Sequence, residues 1–173
     1  MLYQALKKIA SIFFNVLNSL MAGNLPPFGC VCVIVEREKR FLVVEQTNGH
    51  VVFPGGFMRW REVPEQTLRR EGQEETGLLI RAQDLIGYYP HVAKSISQMS
   101  TLTLVYRGET VSGTLKKSME GNPLWIAADE LPGKLAPEYH RIFEDYLRYR
   151  TEYSEVNIHT TGTYATTNTI RQP

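Results

Sequence analysis

Between two apolar runs, Val51-Val52-Phe53 and Leu78-Leu79-Ile80, the chain carries the breaker Pro54-Gly55-Gly56, then Pro64 and Gly77. Proline is tolerated in the first turn of a helix and glycine is favoured just past its end, so Pro64 to Thr76 is predicted as a helix of about three and a half turns. The β-favouring runs on either side read as strands. A helix held between strands has to bury one face of each against the other, which calls for a layered structure.

The rest of the chain fits that frame. Cys30 to Val35 and Phe41 to Val44 read as a hairpin around the charged turn Glu36 to Arg40, and Asn48-Gly49 signals a second turn. Further strands are expected at Leu85 to Tyr89, Met99 to Tyr106 and Pro123 to Ala127, and Pro137 to Tyr149 should be a helix burying Tyr139, Ile142, Phe143 and Tyr146. With no regular βαβ rhythm, the pattern indicates a mixed α+β layer structure. At 173 residues and 43% hydrophobic, the chain is long enough to bury one core. Nineteen Lys and Arg against eighteen Asp and Glu leave a formal charge of +1, which offers no basic field for duplex nucleic acid. The two cysteines, Cys30 and Cys32, share a strand face with Cα atoms about 6.5 to 7 Å apart, too far for an easy bridge. A reducing cytoplasm is the expected setting.

Both ends stand apart. Leu2 to Ala22 has an apolar stripe, Leu2, Leu6, Ile9, Phe13, Val16 and Leu20, in four-three-four-three-four spacing, and Gly23 to Pro27 terminates the helix. The stripe is read as docking on its own domain or on a twin subunit, and a homodimer is expected; interfacial membrane attachment and a cleaved leader are the less favoured readings. Residues 151–173 contain seven threonines and few large apolar groups, a composition suited to a flexible tail or to contact with a neighbouring subunit.

The helix from Pro64 violates ordinary helix preferences. At 100° per residue, Glu71, Glu74 and Glu75 fall within an arc of about 100°, with Glu71 and Glu75 repelling at i, i+4 and the last two at the carbonyl end. Arg70 can pair with Glu74, but one guanidinium does not neutralise three carboxylates. A solvated acidic face is the ordinary explanation for such a cluster. Against it, local rule-breaking is expected at functional sites, and carboxylate oxygens are what Mg²⁺ and Mn²⁺ take. The Gly55-Gly56 turn also lets backbone come close to a ligand.

Gly56, Glu62, Arg70-Glu71 and Glu74-Glu75-Thr76-Gly77-Leu78 together resemble the signature of the Nudix hydrolase family, Gly-x5-Glu-x7-Arg-Glu-U-x-Glu-Glu-x-Gly-U with U aliphatic. The likeness extends over roughly residues 28 to 150, including Leu124 to Pro132. The departure is Gly72 where an aliphatic residue is usual, which leaves a hole that Trp60 or Trp125 is expected to fill. The resemblance implies an α/β/α sandwich on a mixed β-sheet, here with an added N-terminal helix (residues 1–25), a Nudix domain (26–150) and a C-terminal extension (151–173).

It also implies an enzyme that hydrolyses the pyrophosphate bond of a nucleoside diphosphate linked to another moiety, with Mg²⁺ or Mn²⁺ as cofactor and a small nucleotide as substrate. ADP-ribose or a nucleotide sugar is favoured over a nucleoside triphosphate, and an inactive nucleotide-sensing module is the alternative. By the same resemblance, Glu71, Glu74, Glu75 and the Gly56 carbonyl hold the metal, Arg70 orients the glutamates, and Glu62 is an outer contact. The general base is a box glutamate or Glu120 on a later loop, with His91 a weaker candidate. Arg59 and Arg61 are candidates for phosphate contact, and one of Tyr88 and Tyr89 for stacking on a base or sugar.

Overall fold

The structure, a computed structural model, describes residues 2–160; for 2–4, 7 and 152–160 it describes the backbone course alone. Its elements are α1 (Leu2–Leu20), β1 (Phe28–Arg37), β2 (Arg40–Glu45), β3 (Val51–Val52), β4 (Gly55–Phe57), α2 (Pro64–Glu71), β5 (Leu78–His91), β6 (Thr101–Gly113), β7 (Asn122–Ala127), α3 (Leu131–Lys134) and α4 (His140–Thr160). A five-residue π-helical turn, Gly72–Thr76, continues α2, and a 3₁₀ turn, Pro137–Tyr139, leads into α4.

β1 organises the sheet. It runs parallel to β6 from Phe28↔Thr101 to Val35↔Gly108, and antiparallel to β2 and β4. β5 pairs antiparallel with β6, while β3 and β7 both pair antiparallel with β2. A strand buried on both faces should be apolar at every position rather than alternating, which the run Cys30 to Val35 satisfies. Its odd residues Val31, Val33 and Val35 pack with Leu68 of α2 and Ile80, and its even residues Cys32 and Ile34 pack with Ile142, Phe143 and Tyr146 of α4. Helices therefore cover both faces of a mixed sheet, the expected α/β/α sandwich. Phe41 anchors the α4 side with edge-on contacts to Phe143 and Tyr146, at centroid distances of 5.2 and 5.8 Å.

Several expectations need correction. The predicted strands Leu78 to Ile80 and Leu85 to Tyr89 are one strand, β5, broken in register at Leu79/Ile80, Ala82/Leu85 and Leu85/Gly87; bulges interrupt the alternation that marks a strand in sequence. The helix from Pro64 reaches Thr76 as expected, but its last turn is π. No tryptophan fills the space over Gly72: Ile80 occupies it, with Cδ1 2.9 Å from where a Gly72 Cβ would stand. Trp60 is 88% exposed, and Trp125 packs elsewhere on the same cluster. α4 continues through residues 151–160, so the extension begins as helix rather than tail; residues 161–173 lie outside the described residues.

α1 does not bury its apolar stripe. It turns Ser11, Phe14, Asn15 and Asn18 toward the domain: Asn15 Nδ2 donates to the carbonyls of Ile96 and Gln98 at 2.8 and 2.7 Å, and the Leu25 amide donates to Asn18 Oδ1 at 3.0 Å. Phe14 meets Phe28 edge-on at 4.7 Å. Among the described residues, no helix is long and apolar enough to cross a membrane.

Ile80 is 1% exposed and fills the place an aliphatic residue at 72 would take. Ile80→Ala should cost about 2–5 kcal/mol, read as a lower urea midpoint with an unchanged slope.

Candidate active site

β4 and α2 assemble the site by closing one loop between them. Gly55 and Gly56 pair with Cys32 and Val31 of β1, bringing the loop's start beside the helix. At Gly56 a Cβ would stand 2.5 Å from Glu71 Cδ, so any side chain there has to displace that carboxyl. Pro64 opens α2, and Gln66 Oε1 accepts the Val63 amide at 3.1 Å, satisfying one of the free donors at the helix start. Gly77 ends the segment with φ +77°, a left-handed cap.

Arg70 ties the box together through five donated hydrogen bonds. Nε and Nη2 reach Glu62 Oε1 and Oε2 at 2.8 and 2.9 Å, Nη1 reaches Glu71 Oε1 at 2.6 Å and Glu74 Oε2 at 3.2 Å, and Nη2 reaches the Phe57 carbonyl at 3.0 Å. Glu62 is a hub in its own right, accepting also from the Arg59 amide at 2.9 Å and Thr67 Oγ1 at 2.7 Å. The Arg70 hydrogen bonds hold the Glu62 carboxyl down at about 2, against the opposing effect of its partial burial.

The box glutamates experience the reverse. Burial pushes Glu75 up to about 9, opposed by the Gly55 amide, which donates to its Oε2 at 2.9 Å, and reinforced by the neighbouring carboxyl of Glu120 and by Glu71. Burial also raises Glu71, although Arg70 opposes it. Glu74 is half exposed and is held by Arg70 and by Arg59 Nη2 at 3.2 Å. These groups line a cleft of about 450 Å³ that also includes Gly56, Phe57, Met58, Arg59, Glu120 and Tyr139.

Of the residues singled out in the sequence, Gly56, Arg59, Arg70, Glu71, Glu74, Glu75 and Glu120 are brought together around this cleft. Arg61, Tyr88, Tyr89 and His91 are not among its lining residues. Arg61 lies over the Trp60 ring at 6.0 Å with a left-handed φ of 67°. Tyr88 is 70% exposed on β5, and Tyr89 turns to the α4 side, where its hydroxyl donates to Asp145 Oδ2 at 2.8 Å. His91 borders a groove beside α1.

The sequence reading missed Cys30, Thr103, Gln46 and Tyr139 as cleft residues. Cys30 and Thr103 are cross-strand partners on β1 and β6, and burial pushes the Cys30 thiol up to about 11 despite its hydrogen bond with Thr103. The signal available was the alternation of β1: Cys30 lies on the face of Cys32, at the strand end that β4 meets.

As the side chains stand, no three His, Cys, Asp or Glu among the described residues form a ready cation cage. Arg59 and Arg70 occupy Glu74, and Arg70 occupies Glu71. The donor chemistry nevertheless suits a hard divalent cation: carboxylate oxygens beside a backbone turn, with Glu71 and Glu75 shifted upward by burial and so readier than exposed carboxylates to exchange a proton for a cation.

Comparison with known proteins decides the family. The NUDIX domain profile matches residues 26–146. The chain belongs to the NUDIX family. It is 28% identical over 131 residues, 73% of this chain and 76% of the relative, to an ADP-ribose pyrophosphatase of Methanocaldococcus jannaschii. It is 30% identical over 119 residues, 66% of this chain and 74% of the relative, to a MutT-like protein of Streptomyces ambofaciens. A NUDIX hydrolase structure from Nitrosomonas europaea superposes with TM-score 0.63 at 25% identity, covering 71% of this chain and 90% of that one. With this membership and these relatives, the chain is a pyrophosphohydrolase of the NUDIX family.

Two outcomes follow from the site geometry. Gly56→Ala should keep the fold yet displace the Glu71 carboxyl, giving an activity loss with a preserved circular dichroism spectrum. Glu62→Gln should lower the urea midpoint at neutral pH and flatten its acid dependence. A depressed carboxylate contributes stability that is complete above the unfolded value of about 4.5 and lost as pH falls toward about 2, so only the wild type should decline through that window for this reason.

Proposed function

We propose that this NUDIX hydrolase cleaves the pyrophosphate bond of a nucleoside diphosphate linked to another moiety, with Mg²⁺ or Mn²⁺ as cofactor. The observation that carries the reading is the gathering of Glu71, Glu74, Glu75 and Glu120 with Arg59 and Arg70 on one cleft. The ADP-ribose pyrophosphatase among the relatives supports ADP-ribose or a nucleotide sugar over a nucleoside triphosphate. The cleft's apolar wall of Phe53, Phe57, Met58 and Tyr139 supports a substrate with a less charged portion beside its diphosphate.

Glu71, Glu74, Glu75 and the Gly56 carbonyl are the groups that would hold the cation. When bound, a divalent cation neutralises charge on the diphosphate and lowers the pKa of coordinated water. Arg70 fixes the Glu71 carboxyl by a 2.6 Å hydrogen bond and is itself fixed by the two-pronged contact to Glu62. Arg59 is more than half exposed, so it can leave Glu74 for a phosphate oxygen. Glu120 is exposed at the cleft mouth beside the buried Glu75; it can accept a proton from an attacking water, while Glu75 is held by the Gly55 amide.

Glu74→Gln tests the assignment. With Mg²⁺ or Mn²⁺ and a panel of ADP-ribose, nucleotide sugars and nucleoside triphosphates, phosphate or nucleotide release should fall by more than about a hundredfold at an unchanged urea midpoint. Parental activity in this variant overturns the reading. Independently, burial raises Glu75 to about 9, so the cation-free site holds a proton at pH 7.5. Titrating Mn²⁺ into the protein should therefore release protons, seen as a calorimetric heat that scales with buffer ionisation enthalpy.

A further inference from the structure

α1 is turned inside out. The residues it turns to the domain are half polar, Ser11, Asn15 and Asn18 beside Ala10, Phe14 and Leu17, and most of its large apolar residues face away: Leu6, Ile9, Phe13, Val16 and Leu20 are 46–80% exposed, with Ile12 alongside at 41%. On a helical wheel the first five occupy an arc of about 80°, opposite the domain-facing side chains. A free helix hides its apolar stripe by docking it, but here hydrogen bonds to the Ile96 and Gln98 carbonyls fix the helix the other way round. The exposed face is a built feature in want of a partner.

From these observations we infer that the α1 stripe pairs with the same stripe of a second copy of this chain, across a two-fold axis. Three features select that occupant. The spacing 6, 9, 13, 16, 20 is an a/d heptad seam, with Leu6, Phe13 and Leu20 at a and Ile9 and Val16 at d; a narrow 3.5-residue repeat fits another helix. At their exposures the five stripe residues present on the order of 550 Å² each copy, so mutual burial reaches at most about 1,100 Å², just past the ~1,000 Å² that a specific interface has to clear. Charge also matches: α1 contains no acidic residue and no arginine, and its two lysines, Lys7 and Lys8, lie off the stripe, so two copies meet without like charges in the seam. A helix built to lie on a bilayer would instead turn a strongly basic face to solvent beside its apolar one.

Sedimentation equilibrium of the full chain at micromolar concentration tests this, alongside flotation with vesicles of phosphatidylcholine and phosphatidylserine. The wild type should be a dimer that does not float. Ile9→Glu/Phe13→Glu should be a monomer with the wild-type circular dichroism spectrum, and Phe13→Ala, which adds no charge, should raise the dimer dissociation constant at least about tenfold. A monomeric wild type, a dimer indifferent to both variants, or wild-type flotation abolished by Ile9→Glu/Phe13→Glu would each overturn the inference. Because the readout is mass and not turnover, it stands or falls separately from the substrate assignment.

Discussion

The guanidinium of Arg70 holds Glu62, Glu71, Glu74 and the Phe57 carbonyl at once, and the geometry of the cleft depends on that grip. It joins three pieces of chain, the end of β4, the loop before α2 and the acidic end of the α2 segment, and so reinforces the Gly55–Glu75 and Thr67–Glu62 hydrogen bonds that also link them. Being only 15% exposed, the Arg70 side chain is anchored by directional hydrogen bonds in a partly dry setting, where such contacts are stronger than on an open surface. Lysine, with a point charge and no planar fork, could not make this set.

The acid cluster is the counterpart of that grip. Glu71 and Glu75 are buried carboxylates that burial drives toward their neutral forms, and Glu74 is restrained by two arginines. An arrangement so unfavourable for a free helix persists because the flanking sheet over-determines it: β1 is packed on both faces, and α2 reaches that core through Leu68. Local discomfort at the site rests on stability gathered elsewhere.

Much of this was legible in the residues. The apolar run of β1, the hairpin into β2 and the proline and glycine bracketing α2 each state a local preference that the fold obeys. The box spacing placed Gly56, Arg70, Glu71, Glu74 and Glu75 on one cleft, and Glu120 joined them from a loop too far along the chain for any local pattern to place. What stayed hidden depended on tertiary contact. The π turn at Gly72 has the same short-range composition as an α turn. The bulges of β5 erase its alternation, and Tyr89 faces Asp145 because of where α4 lies. The α1 stripe had the right residues and the wrong neighbour: periodicity reveals that a face is apolar, not what it meets.

The parallel pairing of β1 with β6 carries a consequence for how the molecule is made. Each β1 residue from Phe28 to Val35 is partnered about 70 positions later in the chain. On a ribosome adding roughly 5–20 residues per second, this most apolar of strands waits several seconds before its central neighbour emerges. In that interval β2, β4 and α2 give it partial cover while the β6 edge and the α4 face stay open, so the nascent chain has a window in which holdase chaperones would matter more than they do for the finished protein.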